Sequence, residues 1–523
     1  MDTDRDAPAR PRASAARARR PASSRARGAK ASTSDVVAPL DRTPAVVHLT
    51  AEYWPLARTG GLGEAVAGLA TQQARAGADV AVVLPLYGSM RSAGTVLEPV
   101  GPAIHLAVGD RTETARLFRW AEPASGPRVY LVEHVGYFDR PGIYGADGQD
   151  FPDNDRRFAL LCKATLSALP TIAPAARVLH AHDWHTALAV AYLRTGFGAA
   201  PYYRSLAGVL SVHNAGFQGH FPPNTMVQLG LPPELYDMHH FEWYGRMNIL
   251  KGGLSLADMA ITVSPAHATE LRSDEGGFGL QDTFRALGPR LAGILNGIDA
   301  EIWNPVTDPD IAATYTAASP EGKGACRTAL QEACGLNPDP DAFVVAMSAR
   351  LVSQKGIDLV LGADLAAHPE YQFVFLGAGE ARYHAALTAL AAAAPERIAV
   401  EFNFTDVLEH RLVAGADALL MPSLYEPCGL TQMRAQRYGT IPIARRVGGL
   451  ADSIEDGVTG FLFDEYTAGS LLQALERAAA THRDAPAWRR LMRAAMGRDF
   501  GWDRAAAVYR DAYVRALANR EAA

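Results

Sequence analysis

Five segments of this 523-residue chain combine charged, aromatic and glycine residues in patterns that fit chemistry on a phosphorylated or hydroxylated ligand. In Arg58-Thr59-Gly60-Gly61-Leu62-Gly63-Glu64 a cation precedes paired glycines. Adjacent glycines let a backbone approach a ligand, and the helix behind them offers N–H groups to a phosphate. A tight turn that needs glycine only for positive φ has the same wording, and both readings stand here. His180-Ala181-His182-Asp183-Trp184-His185 ends an apolar strand. Its histidines lack the H-E-x-x-H spacing, and alternation on a strand end is expected to turn them to opposite sides, so no metal is assigned. Asp183 and Trp184 suit a sugar, a carboxylate for the hydroxyls and an aromatic face for the ring. Asp183 also fits a helix N-cap. Val212-His213-Asn214-Ala215-Gly216-Phe217-Gln218-Gly219 puts His213 and Asn214 at the end of another strand.

Arg350-Leu351-Val352-Ser353-Gln354-Lys355-Gly356 sets two cations five residues apart between a strand and a helix. Arg forks onto phosphate oxygens and Lys adds a point charge, which together clamp a diphosphate. Two solvated surface cations are the plain alternative; the nearby Gly377-Ala378-Gly379-Glu380 favours the clamp. In Pro422-Ser423-Leu424-Tyr425-Glu426-Pro427-Cys428-Gly429-Leu430-Thr431-Gln432 a strand runs into a Pro-kinked turn. A helix opens near Gly429, so Leu430 and Thr431 offer backbone N–H groups to a phosphate. Glu426, held between Tyr425 and Pro427, is expected to point toward the ligand. Gly448-Gly449 adds a further close-approach turn.

These loops need a scaffold, and the apolar runs supply it. Val46–Leu49, Val80–Leu84, Val178–Leu179, Val209–Val212, Met259–Val263, Phe343–Met347, Phe373–Leu376, Ala418–Met421 and Ile441–Ala444 read as short buried strands separated by helices. Such alternation predicts βαβ units and parallel sheets. It thins over 304–340, where Pro305, Pro309, Pro320, Pro338 and Pro340 cluster. The expected fold class is therefore α/β, two doubly wound Rossmann-like domains meeting near residue 300. Ligands bind beyond the carboxyl ends of such strands, so the two domains should face a common cleft.

The bulk composition excludes several classes. Hydrophobic residues are 48% and charged residues 20%, an ordinary globular balance. No apolar run reaches the ~18 residues of a membrane helix. Cys162, Cys326, Cys334 and Cys428 are too few and scattered for a disulfide framework, and none forms a C-x-x-C pair. A reducing, cytoplasmic setting fits. Residues 1–43 hold ten Arg or Lys against five Asp, so the other 480 residues carry −11 of the net −6. That segment reads as a disordered basic tail rather than an export signal or a transit peptide. The acidic body argues against a nucleic-acid partner.

The motifs together resemble those of bacterial glycogen synthases and plant starch synthases, retaining glycosyltransferases of GT-B type. T-G-G-L-G, H-A-H-D-W-H, H-N-x-x-x-Q-G, N-G-I-D-x-x-x-W-N-P (Asn296 to Pro305), R-L-x-x-Q-K-G and E-P-C-G-L-T-Q occur in family order, and the resemblance covers about 45–515. It implies transfer of glucose from ADP-glucose to the non-reducing end of an α-1,4-glucan (glycogen or a maltodextrin), without metal or cofactor. It implies an acceptor-side domain over 44–300, a nucleotide-sugar domain over 301–500 and a terminal helix over 501–523 that crosses back.

The resemblance also assigns roles. Arg350 and Lys355 resemble the diphosphate pair, and Glu426 the carboxylate on the donor sugar's hydroxyls. Leu430 and Thr431 resemble the phosphate-facing amides, with Tyr425, Cys428, Gly429 and Gly379 as neighbouring donor contacts. His213 resembles the residue beside the reacting carbon, flanked by Asn214. Asp183 and Trp184 fall on the acceptor side. Arg58, Thr59, Gly60, Gly61 and Glu64 line the approach to the phosphates. Two positions depart from the family: Arg58 stands where Lys is usual and Glu64 where Asp is usual. Rival readings are a related transferase using UDP-glucose or another acceptor, a nicotinamide dehydrogenase, and a non-catalytic glucan-binding protein. A dehydrogenase needs a G-x-G-x-x-G turn after the first strand, which this chain lacks.

Overall fold

The computed structural model describes residues 43–122, 125–146 and 148–523. The expected basic tail over 1–43 lies outside these residues, apart from Thr43. Two sheets form. The first comprises β1 Val46–Leu49, β2 Val80–Pro85, β3 Leu97–Val108, β4 Arg111–Trp120, β5 Arg128–Glu133, β6 Val178–His182, β7 Ala207–Val212, β8 Met259–Thr262 and β9 Leu291–Gly293. Their order is β9-β8-β7-β6-β1-β2-β5-β4-β3. From β9 to β5 every pairing is parallel. The central parallel strands are mostly apolar and buried on both faces under two helical layers; β1, β2 and β7 are buried at every position.

The edge differs from the sequence reading, which has no strand between Leu84 and Val178. β3 and β4 form an antiparallel hairpin that joins β5 antiparallel. Most of its positions are exposed or half-buried, so it shows little of the apolar run by which the central strands are recognised.

The second sheet contains β10 Phe343–Ser348, β11 Tyr371–Leu376, β12 Ile398–Glu401, β13 Ala418–Met421, β14 Ile441–Arg445 and β15 Phe461–Phe463. All pairings are parallel, in the order β12-β11-β10-β13-β14-β15. In both sheets the order reverses at one point, between β1 and β6 and between β10 and β13. Loops leaving adjacent strands diverge there and open a crevice. The first crevice receives the loops after Ala51 and His182, the second those after Ser348 and Met421. All four are loops singled out by their chemistry.

Of the helices that cover the sheets, four bear on the site: α1 Gly61–Arg75, α2 Trp184–Arg194, α3 Thr431–Arg437 and α4 Trp502–Ala522. The chain passes between the sheets twice, and Ile298 N donates to the Phe500 carbonyl where the crossings meet. Helix α4 buries Trp502, Tyr509, Tyr513 and Ala516 in the core of the first sheet. Gly68 on α1 admits it: a Cβ there would lie 2.0 Å from Trp502 Nε1. Among the described residues no helix is long and apolar enough to cross a membrane. All four cysteines are free.

Candidate active site

A cavity of about 720 Å³ opens between the strand ends of the two sheets. On the second sheet's side, the crossover at β10 and β13 brings Lys355 and Glu426 together from 71 positions apart. Lys355 Nζ donates to Glu426 Oε2 at 2.6 Å, and Ser423 Oγ donates to the same oxygen at 3.0 Å. Glu426 is only 5% exposed. Its backbone is pinned from behind, because Gly449 N donates to the Glu426 carbonyl at 3.0 Å. Gly448 has φ +42, and a Cβ on it would sit 2.0 Å from that carbonyl oxygen. Glycine is therefore required there by both conformation and contact. Exposed Arg350 lines the cavity and has no carboxylate partner among the described residues. Leu430 and Thr431 line it too, and no side chain caps α3. Burial pushes the Cys428 thiol up to about 12, so it stays neutral.

On the first sheet's side, Glu52 anchors the glycine loop. Its carboxylate accepts from Thr59 N at 2.7 Å, Thr59 Oγ1 at 2.8 Å and Tyr144 OH at 2.6 Å. The paired glycines are not a positive-φ turn. Gly60 is extended at φ −163, a Cβ on it would meet nothing, and one on Gly61 would meet only Leu430 at 3.8 Å. Positive φ is therefore not the reason for the pair, and both glycines line the cavity. Arg58 lines this end but is engaged: Nη1 donates to Glu64 at 2.8 Å and Nη2 to Asp406 of the other half. Glu64 also receives Arg434, which bonds buried Glu409 at 2.9 Å.

Asp183 occupies the N-cap position of α2 yet caps nothing. Its Oδ1 instead accepts from His213 N at 2.7 Å and Asn214 N at 3.4 Å, tying the two strand-end loops together. It does so at φ +57 and ψ −179, a region L-residues rarely occupy, so surrounding contacts hold the strain. Burial pushes its carboxyl up to about 7, with the Glu52 charge adding and the two backbone donors opposing.

The histidines of this region do not point to opposite sides. His180 and His182 are two residues apart on β6, share one face, and have ring centroids 4.1 Å apart. With His48 they bring candidate ligand atoms within 4.8 Å of one another. Every ring nitrogen of the three has a hydrogen-bond partner, however, so the cluster is satisfied without an ion.

Sixteen of the eighteen expected residues line this one cavity: Arg58, Thr59, Gly60, Gly61, Glu64, Asp183, Trp184, His213, Asn214, Arg350, Lys355, Glu426, Cys428, Gly429, Leu430 and Thr431. Gly379 and Tyr425 do not. Gly379 packs on the backbone of Leu351, where a Cβ would lie 2.3 Å from the carbonyl oxygen. Tyr425 turns across the domain gap onto Phe278, ring centroids 4.9 Å apart. Trp184 lines the wall but is 8% exposed, enclosed by Gly219, His185 and Phe158. It is not the open sugar platform its type promises. Sequence reasoning missed Glu52, Ser423 and the Arg434–Glu409 pair. Glu52 alone carried a signal, a carboxylate just past an apolar strand.

Comparisons with known proteins agree with this architecture. Residues 45–286 match the family model "Starch synthase catalytic domain" and residues 334–490 match "Glycosyl transferases group 1". The chain is 40% identical over 479 residues to a glycogen synthase of Syntrophotalea carbinolica, covering 90% of this chain and 99% of that protein. It is 43% identical over 485 residues to one from Aromatoleum aromaticum, covering 90% and 96%. Among solved structures it is similar to the catalytic domain of starch synthase IV from Arabidopsis thaliana bound to ADP and acarbose, with TM-score 0.84, 30% identity, and coverage of 91% and 100%. A sucrose-phosphate synthase of Thermosynechococcus elongatus, 17% identical with TM-score 0.59, shares the fold. With its two facing Rossmann-like domains and relatives matched over nearly their whole length, the chain belongs to the glycogen and starch synthase family of glycosyltransferases and is a hexosyltransferase.

Proposed function

We propose that the enzyme transfers glucose from ADP-glucose to the non-reducing end of an α-1,4-glucan, with retention, in the cytoplasm. The observation that carries this reading is the Lys355–Glu426 pair, at 2.6 Å, set beside Arg350 in the same cavity as the Asp183-held His213 loop. Arg350 and Lys355 stabilise the diphosphate as charge grows on it, aided by the amides of Leu430 and Thr431. Glu426, oriented by Lys355 and Ser423, accepts hydrogen bonds from the donor sugar's hydroxyls. His213 lies beside the reacting carbon, and the Asp183 side receives the glucan. In this scheme the chain divides near residue 300 into an acceptor half and a donor half.

Retention ordinarily invites a carboxylate nucleophile. Glu426 and Asp183 are poor candidates: the first already accepts from Lys355 and Ser423, the second from two backbone amides. Departure and attack on one face of the sugar fits better. The C1–O bond to the diphosphate breaks, the acceptor hydroxyl forms the new bond, and its proton passes to the leaving phosphate. Closure of the cleft excludes water and limits hydrolysis. A donor screen tests the assignment, with ADP-glucose and UDP-glucose compared on a maltodextrin acceptor and the anomer of the new linkage read by NMR. Higher kcat/KM with ADP-glucose and an α product are expected. Faster transfer from UDP-glucose, or a β product, refutes the assignment.

A further inference from the structure

His213 is the visible end of a buried chain. Its Nε2 meets His182 Nδ1 at 3.0 Å, His182 Nε2 meets His48 Nδ1 at 3.0 Å, and His48 Nε2 meets Gln73 Oε1 at 2.9 Å. Gln73 Nε2 donates to Tyr513 OH at 3.1 Å, on the terminal helix. Tyr513 continues to His180 Nδ1 at 2.8 Å, and His180 Nε2 reaches Ser211 Oγ at 2.7 Å. His48, Gln73, His180, His182 and Ser211 are each at most 1% exposed. Burial depresses the imidazoles, His48 to about 4 and His213 to about 3, so near neutral pH each ring holds one proton.

One proton per ring fixes the direction of the whole chain. Gln73 gives its N–H to Tyr513, so the oxygen it turns to His48 can only accept. His48 then carries its proton on Nε2 and offers Nδ1. His182 donates from Nε2 and offers Nδ1 in turn, so His213 donates from Nε2. Its Nδ1, with no partner among the described residues, is left bare in the cavity that His213 lines. The opposite tautomer at His213 requires reversal of His182, His48, the Gln73 amide, Tyr513, His180 and Ser211 together.

We propose that Gln73, His48 and His182 are positioning residues that lock His213 as a hydrogen-bond acceptor toward the cleft, where its Nδ1 accepts a hydrogen bond from a hydroxyl of the bound sugar. This rests on the placement of His213 beside the reacting carbon. The terminal helix takes part, because the Tyr513 hydroxyl holds the Gln73 amide in its orientation. The lock serves catalysis by presenting the lone pair before substrate arrives, with no reorientation during reaction.

The test uses the full chain labelled with ¹⁵N-histidine, ring-nitrogen shifts read by long-range ¹H–¹⁵N correlation, and kcat and KM measured alongside. The unmodified enzyme should show His213 with Nε2 protonated and Nδ1 bare. Gln73→Met keeps side-chain volume and removes both hydrogen bonds; Tyr513→Phe removes one oxygen and serves if the first variant fails to fold. Both should bring the other tautomer into the His213 signal and lower kcat by about tenfold, the value of one hydrogen bond, with a smaller change in KM. A His213 protonated on Nδ1 in the unmodified enzyme overturns the proposal. So does a folded variant whose kcat falls while the tautomer stays pure. A tautomer that shifts with kcat unchanged supports the lock and instead removes His213 from the reaction.

Discussion

The two walls of the cleft handle polarity in opposite ways. The second-domain wall works with full charges on strand-end loops: exposed Arg350, and Lys355 paired with Glu426. The first-domain wall around His213 works instead with neutral groups, in a buried chain from His213 to Tyr513, and the Asp183 carboxyl beside it is pushed toward neutrality. In the proposed scheme the difference follows from what each wall faces. A departing diphosphate gains charge, which fixed cations stabilise most where they need not reorganise. A sugar hydroxyl gains none, and a directed neutral hydrogen bond orients it without the desolvation cost of a buried ion.

The largest expected effect breaks the charged wall. Lys355→Ala and Glu426→Gln should each lower ADP-glucose turnover roughly 10²–10³-fold, the usual loss for one charge-stabilising contact. Glu426→Gln retains size and an acceptor, so its unfolding temperature should stay near that of the parent. Near-normal turnover in either folded variant removes the pair from the reaction, and a collapse in stability makes it structural.

A pH experiment sharpens the comparison at the neutral wall. Folded Asp183 keeps its proton up to about pH 7, while a solvated aspartate releases it near 4. Between those values the folded state binds the extra proton, so this group makes stability fall as pH rises from about 4 to about 7. The buried histidines act oppositely. His48 gains its proton near 4 when folded but near 6.5 when unfolded, so stability falls as pH drops from about 6.5 to about 4. Asp183→Asn keeps an acceptor for the His213 amide and the same side-chain shape, so it adds no backbone strain beyond what Asp183 already carries. It should gain stability at pH 7.5 relative to pH 5, by roughly a few degrees in Tm compared with the parent. An unchanged pH profile would mean Asp183 is ionised in the fold.

The same contrast explains what was legible beforehand. The strands that carry the loops are fully buried apolar runs, and every one of them could be read. So could Arg350, Lys355 and Glu426, whose types announce charge chemistry at strand ends. The hairpin β3–β4 was not legible, because most of its residues face solvent and no apolar run marks it. Nor was the histidine chain: His48 meets His182 across 134 positions and Gln73 meets Tyr513 across 440, contacts created by strand order and the returning helix. Trp184 misled for a related reason, since residue type cannot disclose that Gly219 closes over the ring.

The smallest expected effect concerns Arg58, the first-domain cation that lines the cleft. Its guanidinium spans two carboxylates, Glu64 in its own half and Asp406 in the other. An ammonium cannot fork in this way, so Arg58→Lys keeps one pair and loses the other. The Asp406 pair is the one expected to go, because Asp406 is 48% exposed while Glu64 is held from its far side by Arg434. An exposed pair contributes about 0.2–1 kcal/mol, so unfolding should shift slightly, and less at high salt. Arg58 lines the cavity beside Gly60 and Gly61, the approach to the donor phosphates in the proposed scheme, so the charge it retains should matter to the donor. Donor KM is expected to change a few-fold and glucan KM less, the scale of one exposed contact. A variant with altered glucan KM and unchanged donor KM would move Arg58 to the acceptor side, and the charged wall would then no longer belong to the donor alone.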